Sequence, residues 1–179
     1  MTGVKKLLTE IETKAAETKG DIISLLKADH RNVELLFAEY EKTSASVHKR
    51  ALLERIIEEL NVHTTAEEKL VYPALEKEDK EGALEAFEEH HIVENVLQEL
   101  MSVGEIDEQV DAKVKVLSEL VKHHVKEEET KLLPEMKKSG IDLEEMGEEF
   151  RAGKESLKMK PPKPGQANSK AKEFKKKAS

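Results

Sequence analysis

The chain has no cysteine and no tryptophan, and among its 179 residues only two are Tyr and four Phe. Without cysteine there can be no disulfide framework, thiolate metal site, iron–sulfur cluster or cysteine nucleophile. No apolar run approaches the roughly 18–20 residues needed to span a bilayer. The opening stretch MTGVKKLLTEIETK lacks the apolar segment of a secretory signal, so the cytoplasm is the expected location and no membrane partner is expected. Sheets draw on β-branched and aromatic residues with frequent turns. Eight glycines and five prolines, three of the prolines within the last twenty residues, leave little material for such a fold.

What the chain has in quantity is charge, at 38% Asp, Glu, Lys and Arg, together with leucine and alanine. That composition suits long amphipathic helices. Ile23, Leu26, His30, Val33, Phe37 and Tyr40 recur at spacings of three and four, which predicts a helix over 21–42 with Asp21 as its N-cap. Leu53, Ile56, Leu60, His63, Glu67 and Leu70 predict a second over 47–76, ended or kinked by Pro73. Ala83, Ala86, Phe87, His90, Val93, Glu94 and Leu97 predict a third over 83–103, stopped at Gly104. Val110, Val114, Leu117, Leu120, Val121, His124, Glu128 and Leu132 predict a fourth over 107–138. Short connections make consecutive helices antiparallel neighbours. The expected fold is therefore all-α, an up-down-up-down four-helix bundle over residues 21–138. A short accessory helix is expected within 139–158, from Leu143, Met146 and Phe150. Residues 1–20 read as a loosely helical or disordered extension.

The formal charge of −8 is unevenly spread. Residues 154–179 hold nine lysines and two glutamates, a net +7, which leaves −15 on residues 1–153. The Lys- and Pro-rich stretch 159–179 cannot bury enough apolar surface to order itself and reads as a disordered tail. A lysine run of this length is a low-specificity signal, so a solubilising end is favoured over a nucleic-acid contact.

The two halves of the bundle repeat each other. HTTAEEKLVYP, His63 to Pro73, and HVKEEETKLLP, His124 to Pro134, both read His-x-x-x-Glu-Glu with proline ten residues after the histidine. His30 and His90 occupy matching places on the first and third helices, which suggests a duplicated helix pair. Residues four apart share a helix face, so Glu67 points with His63 and Glu128 with His124, toward the apolar side. A buried carboxylate costs several kcal/mol unless it is paired or bound to a metal. One inward histidine per helix plus two matched carboxylates calls for a shared cation. Imidazole and carboxylate donors suit iron, manganese or zinc rather than calcium or magnesium. Six donors exceed one tetrahedral zinc, and two metals bridged by Glu67 and Glu128 would use them all.

DIISLLKADHRNVELLF, ELNVHTTAEEKLVYPAL, EEHHIVENVL and VKHHVKEEETKLLPEMKKS resemble the hemerythrin HHE cation-binding family across residues 21–138 and all four helices. The resemblance implies a non-haem di-iron centre, its two irons bridged by carboxylates with or without an oxo bridge. Its ligands would be His30, His63, Glu67, His90, His124 and Glu128. It also implies a small-molecule partner such as O2, NO or peroxide. One departure stands out. Oxygen carriers of that family have His-x-x-x-His on the third helix, whereas the residue four after His90 is Glu94. Glu94 is thus a candidate substitute ligand, with Glu34 a further contributor or an ion-pair partner, and simple oxygen carriage is put in doubt. His91 and His123, one residue from inward histidines, should point about 100° away from the centre. His48 reads as structural or solvated. Three functions stay open: a di-iron protein that binds or senses oxygen or a related ligand, an enzyme that turns over peroxide or nitric oxide, and an iron-storage or structural interaction protein. No nucleotide loop or nucleophile elbow appears, which favours binding or sensing.

Overall fold

The computed structural model describes residues 3–17 and 19–159, and all regular structure among them is helical. The Asp21 carboxylate accepts a hydrogen bond from the Ser24 N–H at 2.8 Å, so α2 (Ile22–Lys42) starts where the capping signal predicts. Asp79 and Asp107 cap α5 (Lys80–Met101) and α6 (Glu108–Glu127) in the same way, accepting from Gly82 at 2.9 Å and Val110 at 2.8 Å. Between α2 and α5 lies α3 (Ser46–Ala66).

The second and fourth rods differ from the simple reading. Proline neither ends nor breaks them. α3 runs through a five-residue π turn, Glu67–Val71, into α4 (Tyr72–Leu75), and α6 runs through Glu128–Leu132 into α7 (Leu133–Lys138). The Tyr72 N–H reaches back five residues to the Glu67 carbonyl, and Leu133 does the same to Glu128. In an α-helix a proline ring clashes with the carbonyl four residues before it. The widened turn falls on the residues just ahead of Pro73 and Pro134, and the rod continues past each.

α2 packs on α3, α3 on α5, α5 on α6 and α6 on α2, which closes the four-helix ring. Two apolar clusters fill it. One includes Val33, Leu36, Phe37, Leu53, Leu60, Val93, Leu97, Leu117 and Val121. The other includes Leu26, Ala66, Tyr72, Phe87, Leu132, Met136 and Phe150. His30, His63, His90 and His124 fall, in each rod, between residues of the first cluster and residues of the second. A polar layer therefore separates two apolar plugs.

Two accessory helices dress this ring. The first is α1 (Gly3–Glu17), which buries Val4 and Ile11 against α2 and α3. The accessory C-terminal helix is longer than Leu143, Met146 and Phe150 suggested: α8 (Leu143–Met159) has 17 residues. It lies on α2 and α3 with Phe150 fully buried. Gly147 permits the close approach, because a Cβ there would meet the Gly20 carbonyl oxygen at 2.9 Å and the Ile22 nitrogen at 3.0 Å. The tail is expected over 159–179; Met159 closes α8, and the remainder lies outside the described residues.

Candidate metal centre

Each rod contributes one histidine to the polar layer, and all four are buried. Their Nε2 atoms face inward. His30 Nε2 lies 3.1 Å from Glu128 Oε2, His63 Nε2 lies 3.1 Å from Glu67 Oε1, and His90 Nε2 lies 3.4 Å from Glu67 Oε2. His90 Nε2 and His124 Nε2 are 3.0 Å apart. Ligand atoms of His30, His63, Glu67 and Glu128 form one group within 4.8 Å, and those of Glu67, His90 and His124 form another. All six residues expected from the sequence are brought together. Glu67 belongs to both groups, whereas Glu128 stands in the first, turned toward His30.

Both glutamates have no exposed surface. All four of their carboxylate oxygens, and His30 Nε2, lack a hydrogen-bond partner. The oxygens sit close to imidazole nitrogens but out of hydrogen-bond alignment. Two buried carboxylates left in this way cost several kcal/mol each, and the arrangement suits a cation that accepts their lone pairs. The donor chemistry, imidazole nitrogen with carboxylate oxygen, fits iron, manganese or zinc. The π turns begin at Glu67 and at Glu128, and such turns in helices are frequent at functional sites.

The sequence reading missed the residues that hold the histidines. Every Nδ1 is backed by a carboxylate. His63 Nδ1 donates to Asp29 at 3.2 Å, His90 Nδ1 to Glu68 at 3.3 Å, His124 Nδ1 to Glu89 at 2.6 Å and His30 Nδ1 to Glu129 at 2.8 Å. Each rod supports the histidine of the next, and the fourth supports the first. The signal was present in the dipeptides Asp29-His30, Glu89-His90, Glu67-Glu68 and Glu128-Glu129, but one sequence does not say which neighbour faces which rod. Carboxylates on the outer nitrogen fix the tautomer, orient the ring and raise its basicity toward a metal.

Tyr72 was also missed, having been read only as part of the approach to Pro73. Its hydroxyl lies 3.0 Å from Nε2 of His90 and 3.3 Å from Nε2 of His124. The π turn carries it to this place. Glu94 does not join either group. It is half-buried, and its charge acts on Glu68. Glu34 pairs with Arg31 at 2.8 Å. The His123 side chain is 65% exposed, as its register predicted, and His91 meets the Asn95 amide at 3.3 Å.

The electrostatics follow from this packing. Burial alone would lower His63, but the Glu67 and Asp29 carboxylates outweigh it and push its pKa up to about 10. Burial would raise Asp29, yet its bonds to His63 and Lys154 hold it down to about 2. Burial and the nearby histidines push His90 well below the usual value. The two central carboxylates split. Burial and the charge of Glu128 raise Glu67, while Glu128 is held low, against its own burial, by His30 and the other histidines. Burial, then Glu94 and Glu67, raise Glu68 to about 8. Tyr72 is raised far enough, by burial and then by Glu67, that its hydroxyl stays protonated.

A cavity of about 20 Å³ abuts the histidines, walled by Val33, Leu60, Val93, Val121 and Val125. It has room for about one water-sized molecule.

Comparison with known proteins agrees with this geometry. Residues 21–136 match the family described as hemerythrin HHE cation binding domain. A crystal structure of a hemerythrin HHE cation binding domain-containing protein from Mycobacterium kansasii superposes with a TM-score of 0.70 at 25% identity, covering 78% of this chain and 88% of that one. A DNA nickase from Nostoc sp. is 24% identical over 143 residues, which are 78% of this chain but 41% of that protein's length.

Proposed function

The chain belongs to the hemerythrin HHE cation-binding family, and from that premise we propose that it is a non-haem di-iron protein that binds or senses oxygen or a related small ligand. The observation that carries this reading is the double donor group sharing Glu67, with carboxylate oxygens that lack hydrogen bonds at its middle. His30, His63, Glu67 and Glu128 would hold one iron, and Glu67, His90 and His124 the other, with the Tyr72 hydroxyl in reach of the second. A bound iron pair would supply redox chemistry and open coordination for a small ligand.

The protein's own residues do the rest. Asp29, Glu68, Glu89 and Glu129 keep the Nδ1 protons outward and the Nε2 lone pairs inward. The valine and leucine wall beside the histidines excludes water and limits the ligand to a few atoms, which suits O2, NO or peroxide. Tyr72 presents a protonated hydroxyl beside His90 and His124. It can donate a hydrogen bond there, or give up its proton when a cation offsets the charge of Glu67.

The test is spectroscopic. Iron-loaded protein cycled between oxygen and argon should change its visible absorption reversibly, without consuming peroxide at a substantial rate. Rapid peroxide loss abolished by His63→Ala would instead favour the enzymatic alternative.

A further inference from the structure

Outside the centre, a second cleft opens at the surface between α5 and α6. Glu89 and Glu127 line it, and with the exposed His123 they offer one ligand atom each inside a 4.8 Å group. His123 Nε2 is 3.5 Å from Glu89 Oε1. The other oxygen of Glu89 accepts from His124 Nδ1 at 2.6 Å. One carboxylate thus touches an exposed histidine on one side and a buried centre histidine on the other. The cleft, of about 30 Å³, is lined at its inner end by His124 and Glu128 and carries Asp79 and Glu85 on its walls. Glu128 is fully buried, and both its oxygens are without a hydrogen-bond partner. The cleft therefore joins the two carboxylates of this outer group to a buried carboxylate that lacks a hydrogen bond. A single cation is already present: Lys131 Nζ reaches Glu127 Oε1 at 2.6 Å.

We propose that Glu89, His123 and Glu127 form a separate divalent-cation site, a loading station from which a metal ion passes along the cleft to His124 and Glu128. The loading role rests on the reading that the centre binds metal; the outer site does not. One imidazole and two carboxylates suit a borderline divalent ion such as Fe(II), Co(II) or Zn(II). Their half-exposed position gives the weaker, exchangeable binding that a station requires. Lys131 competes for Glu127, so an arriving ion displaces an ammonium group and not merely water.

The experiment titrates chelator-stripped full-length protein with Co(II) under argon, following visible absorption and calorimetry, and then follows loading at limiting Co(II) by stopped flow. His123→Ala alters an exposed side chain and should leave the fold intact. It should bind one equivalent fewer than the parent. Its centre should fill more slowly yet reach the same final spectrum. Lys131→Met should do the reverse, tightening the outer site and speeding loading. Unchanged stoichiometry and rate in both variants would overturn the proposal. In the His63→Ala/Glu67→Ala double variant, one equivalent that disappears on adding His123→Ala supports the outer site. If the parent takes up cobalt only in this His123-dependent way, the outer site stands and the reading of the centre fails. If the parent fills its centre and His123→Ala changes nothing, the reading of the centre stands and the station fails.

Discussion

Asp29, Glu68, Glu89 and Glu129 bond the outer nitrogens of His63, His90, His124 and His30, and so decide what the inner nitrogens can do. A carboxylate on Nδ1 makes Nε2 a better donor, and loss of such a partner costs about 10–100-fold in metal affinity. Asp29→Asn should therefore weaken iron binding by that factor, read by competition with a chelator of known affinity. It should also change the pH dependence of stability. His63 has a folded pKa of about 10 against an ordinary 6.5, so its contribution is fully present below pH 6.5 and is lost as the pH rises toward 10. Asp29 has a folded pKa of about 2 against 3.8, so its contribution is present above 3.8 and is lost as the pH falls toward 2. Urea unfolding of chelator-treated protein should show stability declining on both sides of this window, and Asp29→Asn should flatten both limbs. Tyr72 gives a separate test. Ferric protein should show a phenolate-to-iron absorption that Tyr72→Phe removes, while Phe keeps the packing against Phe87, 5.1 Å away ring to ring.

At the scale of elements, the two π turns explain what could be read in the sequence and what could not. His63 and His124 lie before the turns, and Glu67 and Glu128 open them while still bonded back four residues to those histidines, so these ligand candidates were legible from periodicity alone. His30 and His90 were legible for the same reason. Beyond Glu67 the register shifts by one residue, and four-residue spacing no longer says which way Tyr72 faces. The paired carboxylates were hidden for a different reason: they act across rods, and rod-to-rod facing is tertiary information. Inserting one alanine after Lys69, an exposed residue of the first π turn, adds a residue beyond the one the widened turn absorbs and should rotate Tyr72 and Leu75 out of the core by about 100°. Both are fully buried, so the insertion should cost several kcal/mol and lower metal content. Lys69→Ala should do neither. Thermal unfolding and metal analysis of the pair separate a register effect from a side-chain effect.

For the whole molecule, the bundle is two apolar plugs around a charged layer, closed on one flank by α8. Phe150 packs edge-on to His63 at 6.4 Å, and Lys154 from the same helix bonds the Asp29 carboxylate that supports His63. The docking of this helix was not legible beforehand, because its apolar residues are few and the glycine contact that seats it depends on the start of α2. Gly147→Ala should push α8 off that backbone and lower the melting temperature, with faster loss of iron to a chelator. The folding problem that this architecture poses, two fully buried carboxylates without hydrogen bonds, is resolved if a pair of cations sits between them. The most direct measurement is therefore metal identity and stoichiometry in anaerobically purified protein. About two irons per chain are expected, with fewer in both Glu67→Ala and Glu128→Ala. Zinc alone, no metal, or full iron loading in both variants would contradict the di-iron reading.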